Sequence, residues 1–423
     1  MVEIKEQSSL YMLKGFRWFL FVSFLLMGSV IRWNVAVNDK SLPVKDAVEY
    51  DQIAQNLVNG MGFRDAAGEL TSFRPPLYPY FLAGIYRVAG HNFQAVRRVQ
   101  AFLSILTILL IAGLAQLLFG KWTGCFAGMI AAVYPPFYAF YFSSSALISE
   151  TLYTFLIVGS LCSLFLYFYY PALKIAVISG VLWGTAILTR PIPLFLLPIL
   201  PFIFLILKYP VRKTIQYWSV VTCMTLLCVT PWIARNYVVF KKFVPVSTQG
   251  GISFYASNHP QSDGLGGDSW RQLLVVDQEL KNQGYNEAER SKVYYSEAIK
   301  FIAANPVQAA RLFLWKMVLY MDPTHTMEEI KERPRSINWA YVAVLAGAVV
   351  GFLMGIRTNL FRRSLGLMAF IFCYFLLFHA IFHTAHRYRL PTEPILIIMA
   401  AFMLDQLGHR IWAGFKEQVR GEL

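Results

Sequence analysis

The chain has 423 residues, 57% hydrophobic and 15% charged, with a mean hydropathy of +0.48. Soluble domains carry about 25% charge, so the composition excludes an ordinary soluble protein and implies an all-α polytopic membrane protein. The formal net charge of +14 is assigned to basic loops that stay cytoplasmic and meet anionic membrane lipid; no compact basic domain exists to bind nucleic acid.

A spanning helix needs about 20 apolar residues. The first candidate covers 16–33; its apolar run reaches Trp33 with no small-residue cleavage site, so it reads as an uncleaved helix. A polar stretch follows to about residue 95, containing DAVEYDQIAQNLVNGMGFRDAAGELTSFRPPLYPY (46–80) and a short apolar piece at 77–90. Further candidates lie at 99–119, 122–143, 149–170, 174–189, 192–208 and 216–235. A polar segment, 236–336, precedes three more at 337–356, 364–384 and 391–407. The expected fold is thus a bundle of about ten transmembrane helices with interfacial helices in the first external loop. It divides into an N-terminal catalytic module (1–235, including the external loop 34–95), an external segment (236–336), and C-terminal helices with a basic tail (337–423).

The basic groups fix the expected orientation. Lys5 and Lys14, Lys121, Lys174, Lys208/Arg212/Lys213, Arg357/Arg362/Arg363 and Arg410/Lys416/Arg420 all fall inside if both termini are cytoplasmic in a plasma or inner membrane. Counting 304–321 as a span would put Arg357–Arg363 outside, so that segment is assigned to the interface or to a re-entrant helix. Asp46, Arg74, Glu150, Arg190, Asn236 and Arg387 then share the external side, each at or near a helix end.

Apolar positions Ala47, Tyr50, Ile53, Ala54 and Leu57 have helical spacing. Asp46 at the N-cap and Glu49 at N3 would form an acidic capping box; alternatively Asp46 is a general base for an acceptor hydroxyl or amine. Glu49 and Asp51 read as solvated acids on the helix face. Arg74 precedes Pro75-Pro76, which begin a helix well, and would add a guanidinium to free backbone N–H groups, a phosphate site. Glu150 opens an apolar helix, where it either answers the helix dipole or serves the site. Arg190-Pro191 and His386-Arg387-Tyr388-Arg389-Leu390-Pro391 supply two further arginines between closely spaced helices, as lipid snorkellers or phosphate ligands.

The remaining signals are structural. Cys125, Cys162, Cys223, Cys228 and Cys373 lie in apolar segments without CxxC or metal spacing and read as small buried hydrophobes. His379, His383 and His386 would share one helical face, but no acid or cysteine at ligand spacing accompanies them, so no metal is assigned. Gly264 to Gly267 reads as a turn. With no Walker loop, GxSxG or strand-bounded GxGxxG, neither nucleotide nor other cofactor is expected, and an activated substrate would come from the membrane.

The pattern Asp46-x-x-x-Tyr50, Asn56-Leu57, Gly60-x-Gly62-Phe63 and Arg74-Pro75-Pro76-x-Tyr78-Pro79 resembles glycosyltransferase family 39 of the C-type superfamily. Protein O-mannosyltransferases and lipid A aminoarabinose transferases belong to that group. Ser149-Glu150-x-x-Tyr153, Leu188-Thr189-Arg190-Pro191, Pro231-Trp232-x-x-Arg235-Asn236, Val244 to Asn258 and Arg387 to Pro391 extend the similarity over nearly the full length. The resemblance implies an inverting transfer of a sugar from a polyprenyl-phosphate donor to an external protein, lipid or glycan acceptor. Asp46 matches the catalytic acid of the first loop, Arg74 the basic residue that contacts the donor phosphate, and Glu150 a second acid near the site. Where many relatives have Asp-Glu, Asp46 is followed by Ala47, so the helper acid is Glu49 or Glu150. Arg387 or Arg190 would join Arg74 on the phosphate, and Tyr50, Tyr78, Asn236 and Tyr388 would complete the substrate pocket. The rival reading is a transporter or flippase of lipid-linked sugars, but the charges gather at one face and no internal repeat is visible.

Overall fold

The computed structural model describes residues 2–138, 147–264, 269–325, 336–356 and 364–421. The Arg357/Arg362/Arg363 group, most of the expected 144–148 loop and most of the Gly264–Gly267 turn lie outside them. The helices are α1 (Val2–Asn38), α2 (Asp46–Val58), α3 (Leu77–Ala89), α4 (Phe93–Phe119), α5 (Lys121–Val133), α6 (Glu150–Tyr169), α7 (Leu173–Thr189) and α8 (Leu200–Ile206). They continue with α9 (Val211–Phe240), α10 (Gln249–Ala256), α11 (Ser269–Asn282), α12 (Glu287–Ala304), α13 (Pro306–Met321), α14 (Trp339–Ile356), α15 (Gly366–Ile381) and α16 (Glu393–Gly421). The paired strands are β1 (Thr324–His325) and β2 (Ser336–Ile337), antiparallel, with Thr324 opposite Ile337.

Among the described residues, stretches of six helices, α1, α4, α6, α9, α14 and α16, are long and apolar enough to cross a bilayer, and the chain is a multi-pass membrane protein. Apolar α7 and α15 have 17 and 16 residues, about 25 Å at 1.5 Å per residue. Two expected spans are interrupted. The one at 122–143 becomes α5, which stops at Val133 because Pro135 and Pro136 follow and form a 3₁₀ turn, Pro135–Phe137. The one at 192–208 becomes a 3₁₀ turn, Ile192–Phe195, and the seven-residue α8. Pro191, Pro193, Pro198 and Pro201 deny that stretch a continuous hydrogen-bond ladder.

One apolar core unites the bundle. It runs from Ala36 at the end of α1 to Phe402 in α16, so the first and last thirds of the chain pack together. α6 lies at its centre and is buried on all but one stripe, where Phe155, Cys162, Leu166 and Tyr169 are partly exposed. Glycines bring the outer helices close: a Cβ on Gly351 of α14 would stand 2.2 Å from the Met399 carbonyl of α16. Small residues serve this purpose where lipid gives apolar faces no reason to separate from solvent. Cys223 and Cys373 are exposed on their helices rather than buried; small apolar side chains on a lipid-facing surface need no cover.

The polar segment that follows α9 is mostly helical where it is described. α10, α11 and α12 share a small core of Ile252, Ala256, Leu273 and Tyr294. α12 starts with a capping box in which Asn286 and Glu289 satisfy each other's backbone N–H groups. α13 packs against α15 and against the 3₁₀ turn His386–Arg389.

Arg32, deep in α1, fastens that helix to the rest. Its Nε donates to Ser104 Oγ at 2.9 Å, and its two terminal nitrogens reach the carbonyls of Gly28, Ala132 and Ala131 at 3.0, 2.6 and 2.9 Å. Arg32→Ala is expected to cost about 3 kcal/mol by stranding these buried acceptors. Thermal unfolding in detergent checks this: the melting temperature should fall clearly for alanine and less for Arg32→Lys. An unchanged melt would show that the contacts contribute nothing.

Candidate active site

α2 enters from Lys45, which has a positive φ of 52° and is the N-cap residue; no side chain caps the helix. The expected capping box of Asp46 and Glu49 is therefore absent, because both carboxylates are drawn to arginines. Arg74 Nη2 lies 2.7 Å from Asp46 Oδ1, and Arg74 Nε lies 2.7 Å from Glu49 Oε2. The other Asp46 oxygen takes Arg387 Nη2 at 2.5 Å. Arg387 Nε lies 3.5 Å from Glu150 Oε1, and the same oxygen receives Arg190 Nη2 at 2.5 Å. Glu49, Arg74, Asp46, Arg387, Glu150 and Arg190 thus form a ladder of alternating charge.

The ladder has an open and a closed end. The Glu49 side chain is 48% exposed, Asp46 26% and Glu150 1%. Glu150 sits at the start of central α6, and its Oε2 has no hydrogen-bond partner among the described residues. Of the three arginines, Arg387 is 24% exposed, Arg190 15% and Arg74 5%.

Each arginine is held from behind. Arg74 lies under the rings of Tyr50 and Phe73, 5.1 and 5.2 Å from their centroids. The strap before it, Thr71–Ser72–Phe73, is pinned by Arg235 Nη1, which donates to the Thr71 carbonyl and Ser72 Oγ, both at 2.8 Å. Glu287 of α12 accepts from Thr71 Oγ1 at 2.7 Å and from the Ser72 N–H at 2.9 Å. Arg74 does not address the backbone N–H groups of α3, because its guanidinium is already committed to Asp46 and Glu49. Arg387 sits in the turn His386–Arg389, anchored by Arg389, whose Nε donates to Glu393 Oε1 at 2.8 Å. Arg389 also donates to the Asp322 carbonyl and lies 3.7 Å over the Tyr341 ring. Arg190 contacts Ser149 Oγ at 3.1 Å and faces the Tyr388 ring at 4.9 Å.

The sequence-derived pocket residues separate into two groups. Tyr50 and Tyr388 touch the ladder, the latter 5.4 Å from Arg387. Tyr78 packs edge-on against Tyr50 but spends its hydroxyl on Gln100, 2.7 Å away and fully buried. Asn236 accepts from Ser72 Oγ at 2.6 Å and donates to the Val244 carbonyl at 3.0 Å. Both support the site from outside it. Asp51 is buried rather than solvated, accepting from Tyr86 and Gln55 and bonded to His91. His379 ends α15, while His383 and His386 lie beyond it, so the three share no helical face. Among the described residues, no group of three or more His, Cys, Asp or Glu side chains is placed to hold a metal ion. Sequence reasoning missed Glu393 and Glu287. An acid opening an apolar helix is a signal for Glu393; Glu287 had none, since its partners on the strap, Thr71 and Ser72, are over two hundred residues away and its third, Thr248, is an ordinary loop residue.

The electrostatics follow from this geometry. Burial alone would push the Asp46 carboxyl up, but the guanidinium groups of Arg74 and Arg387 hold it well below the usual carboxylate range. Burial would lower the arginines, yet Asp46 keeps both Arg74 and Arg387 above their ordinary value. Two cations converging on one carboxylate make a site where a second anion would compete with that carboxylate.

A family model described as dolichyl-phosphate-mannose-protein mannosyltransferase matches residues 73–234. The chain is 16% identical to ArnT from Cupriavidus metallidurans, solved bound to undecaprenyl phosphate, with a TM-score of 0.61 over 93% of this chain and 61% of that one. It is 14% identical to the archaeal oligosaccharyltransferase AglB from Archaeoglobus fulgidus, solved with an inhibitory peptide and a dolichol-phosphate. There the TM-score is 0.58, over 95% of this chain and 52% of that one. The chain spans less than two thirds of either structure's length. No curated protein matches it. The fold is that of the C-type glycosyltransferases.

Because its pKa is depressed by folding, Asp46 contributes stability above the ordinary carboxylate value and loses it only as pH falls through the folded one. Asp46→Asn is therefore expected to destabilise by about 3 kcal/mol. Melting curves recorded against pH should keep the gap between wild type and variant constant from pH 8 to 5, with narrowing only below about pH 4. A gap that closes near pH 6 would contradict the pairing.

Proposed function

We propose that the protein is an integral membrane glycosyltransferase that moves a sugar from a polyprenyl-phosphate donor to an acceptor on the external face, with inversion. It would reside in the plasma or inner membrane with both termini cytoplasmic, a reading supported by the basic groups at Lys121, Lys174 and Lys208–Lys213, which alternate with less basic connections. The observation that carries the activity is the sharing of Asp46 between Arg74 and Arg387.

In the resting site Asp46 is a weak base, because two arginines stabilise its charge. The donor phosphodiester carries one negative charge and enters at the open end, where it draws Arg74 and Arg387 toward itself. The acceptor oxygen or nitrogen attacks the anomeric carbon from the side opposite the phosphate, and the bond from that carbon to the phosphate oxygen breaks. The electron pair leaves on the polyprenyl phosphate, whose second negative charge strengthens its hold on the arginines. Asp46, losing its partners as this charge develops, becomes more basic and takes the acceptor proton. Glu150, fixed by Arg190, holds the far edge of Arg387, and Glu49 holds Arg74 until the donor arrives. The apolar helices supply the medium for the prenyl tail.

The test uses purified protein with a radiolabelled polyprenyl-phosphate sugar. Asp46→Asn should reduce the transfer rate by about 10²–10⁴-fold while donor affinity is retained. Full activity in that variant would remove Asp46 as the base. Arg74→Ala should weaken donor binding by about tenfold or more; unchanged affinity would remove its phosphate role.

A further inference from the structure

Away from the ladder, a cavity of about 630 Å³ lies where the ends of α1 and α3 meet the start of α4. Its walls combine apolar Val37, Ala89 and Phe93 with basic Lys40, Arg97 and Arg98. Lys40 and Arg98 are exposed, whereas Arg97 is 1% exposed. Arg97 donates to the Ser41 carbonyl and lies 3.8 Å from Asp39, but its Nε–H meets no acceptor among the described residues. Three cations therefore line the cavity, with Asp39 beside Arg97 and Asp51 beside His91 as the neighbouring carboxylates, next to the N-terminal end of a 27-residue helix.

The exposed side chains around the cavity indicate what would occupy it. Trp33 on α1 and Phe102 on α4 are 53% and 58% exposed, each one helical turn from the cavity-lining residues Val37 and Arg98 on the membrane side. Basic heads above apolar flanks are what a phospholipid requires, with phosphate at the surface and chains below it. The proposed donor site is elsewhere, between Arg74 and Arg387.

We propose that this cavity binds an anionic phospholipid, its phosphate held by Lys40, Arg97 and Arg98 and its chains lying along Trp33 and Phe102. Because His91 in the cavity wall is bonded to Asp51 of α2 at 2.8 Å, an occupied site braces the helix whose first turn carries Asp46.

Native mass spectrometry and thermal melting of the full chain in neutral detergent test this with phosphatidylglycerol, phosphatidylcholine and inorganic phosphate as probes. Phosphatidylglycerol should be retained and should raise the melting temperature more than phosphatidylcholine. The double variant Lys40→Gln/Arg98→Gln should lose phosphatidylglycerol retention by about tenfold or more, and the control Lys281→Gln/Lys292→Gln and Arg74→Ala should keep it. Equal retention of both lipids, or wild-type retention by the Lys40/Arg98 variant, would overturn the site. Loss of retention in Arg74→Ala would move the lipid to the ladder and overturn it too. Protection by inorganic phosphate equal to that by phosphatidylglycerol would mark a free-anion site and refute the lipid.

Discussion

The bridge from Arg74 through Asp46 to Arg387 is the constraint on which the rest of the site depends. It joins the first loop to a turn 341 residues later, and it demands that each participant be held against its own tendency to reach water. Burying a lone guanidinium or carboxylate is prohibitive, and even a pair must be well oriented to offset lost hydration. The molecule meets this by alternating three acids with three arginines, so that every interior charge has a neighbour of opposite sign. Glu49 is the member most open to solvent, with Asp46 and Arg387 partly exposed beside it.

That arrangement explains why so much polar structure surrounds a handful of side chains. Asn236, Arg235 and Glu287 hold the strap before Arg74; Arg389, Glu393 and Asp322 hold the turn that carries Arg387. A flexible arginine loses considerable conformational freedom when fixed in one place, and these contacts meet that cost within the fold.

Much of this was legible in the sequence, for reasons that can be traced to particular residues. Asp46, Glu49, Arg74, Glu150, Arg190 and Arg387 stand out because charge is conspicuous in an apolar chain, and the structure brings all six together. Apolar run length located the long helices. It failed at 192–208 and at 122–143, where hydropathy registers the apolar side chains but not the prolines, Pro193, Pro198 and Pro201 in one and Pro135 and Pro136 in the other, that break the backbone. Local spacing assigned Asp46 and Glu49 to a capping box, and here tertiary attraction to Arg74 overrode a local preference. Tyr78 and Asn236 matched a motif, yet their hydrogen bonds to Gln100 and Ser72 show them serving the frame. Contacts such as Thr71 with Glu287 leave no trace in a single sequence, because neither residue is unusual where it stands.

The placement of Glu287 carries a consequence for how such proteins can diversify. Helices α10–α12 have a small core of their own and look like a detachable cap. Yet the first residue of α12 is hydrogen-bonded to the strap that ends in Arg74. A transplanted cap that lacks an acceptor at this point would arrive with its own surface intact and still disturb the arginine beneath it. Modularity at this face is therefore conditional: an exchanged cap must carry the Glu287 carboxylate with it, as one of the contacts that lock it to the membrane-embedded body.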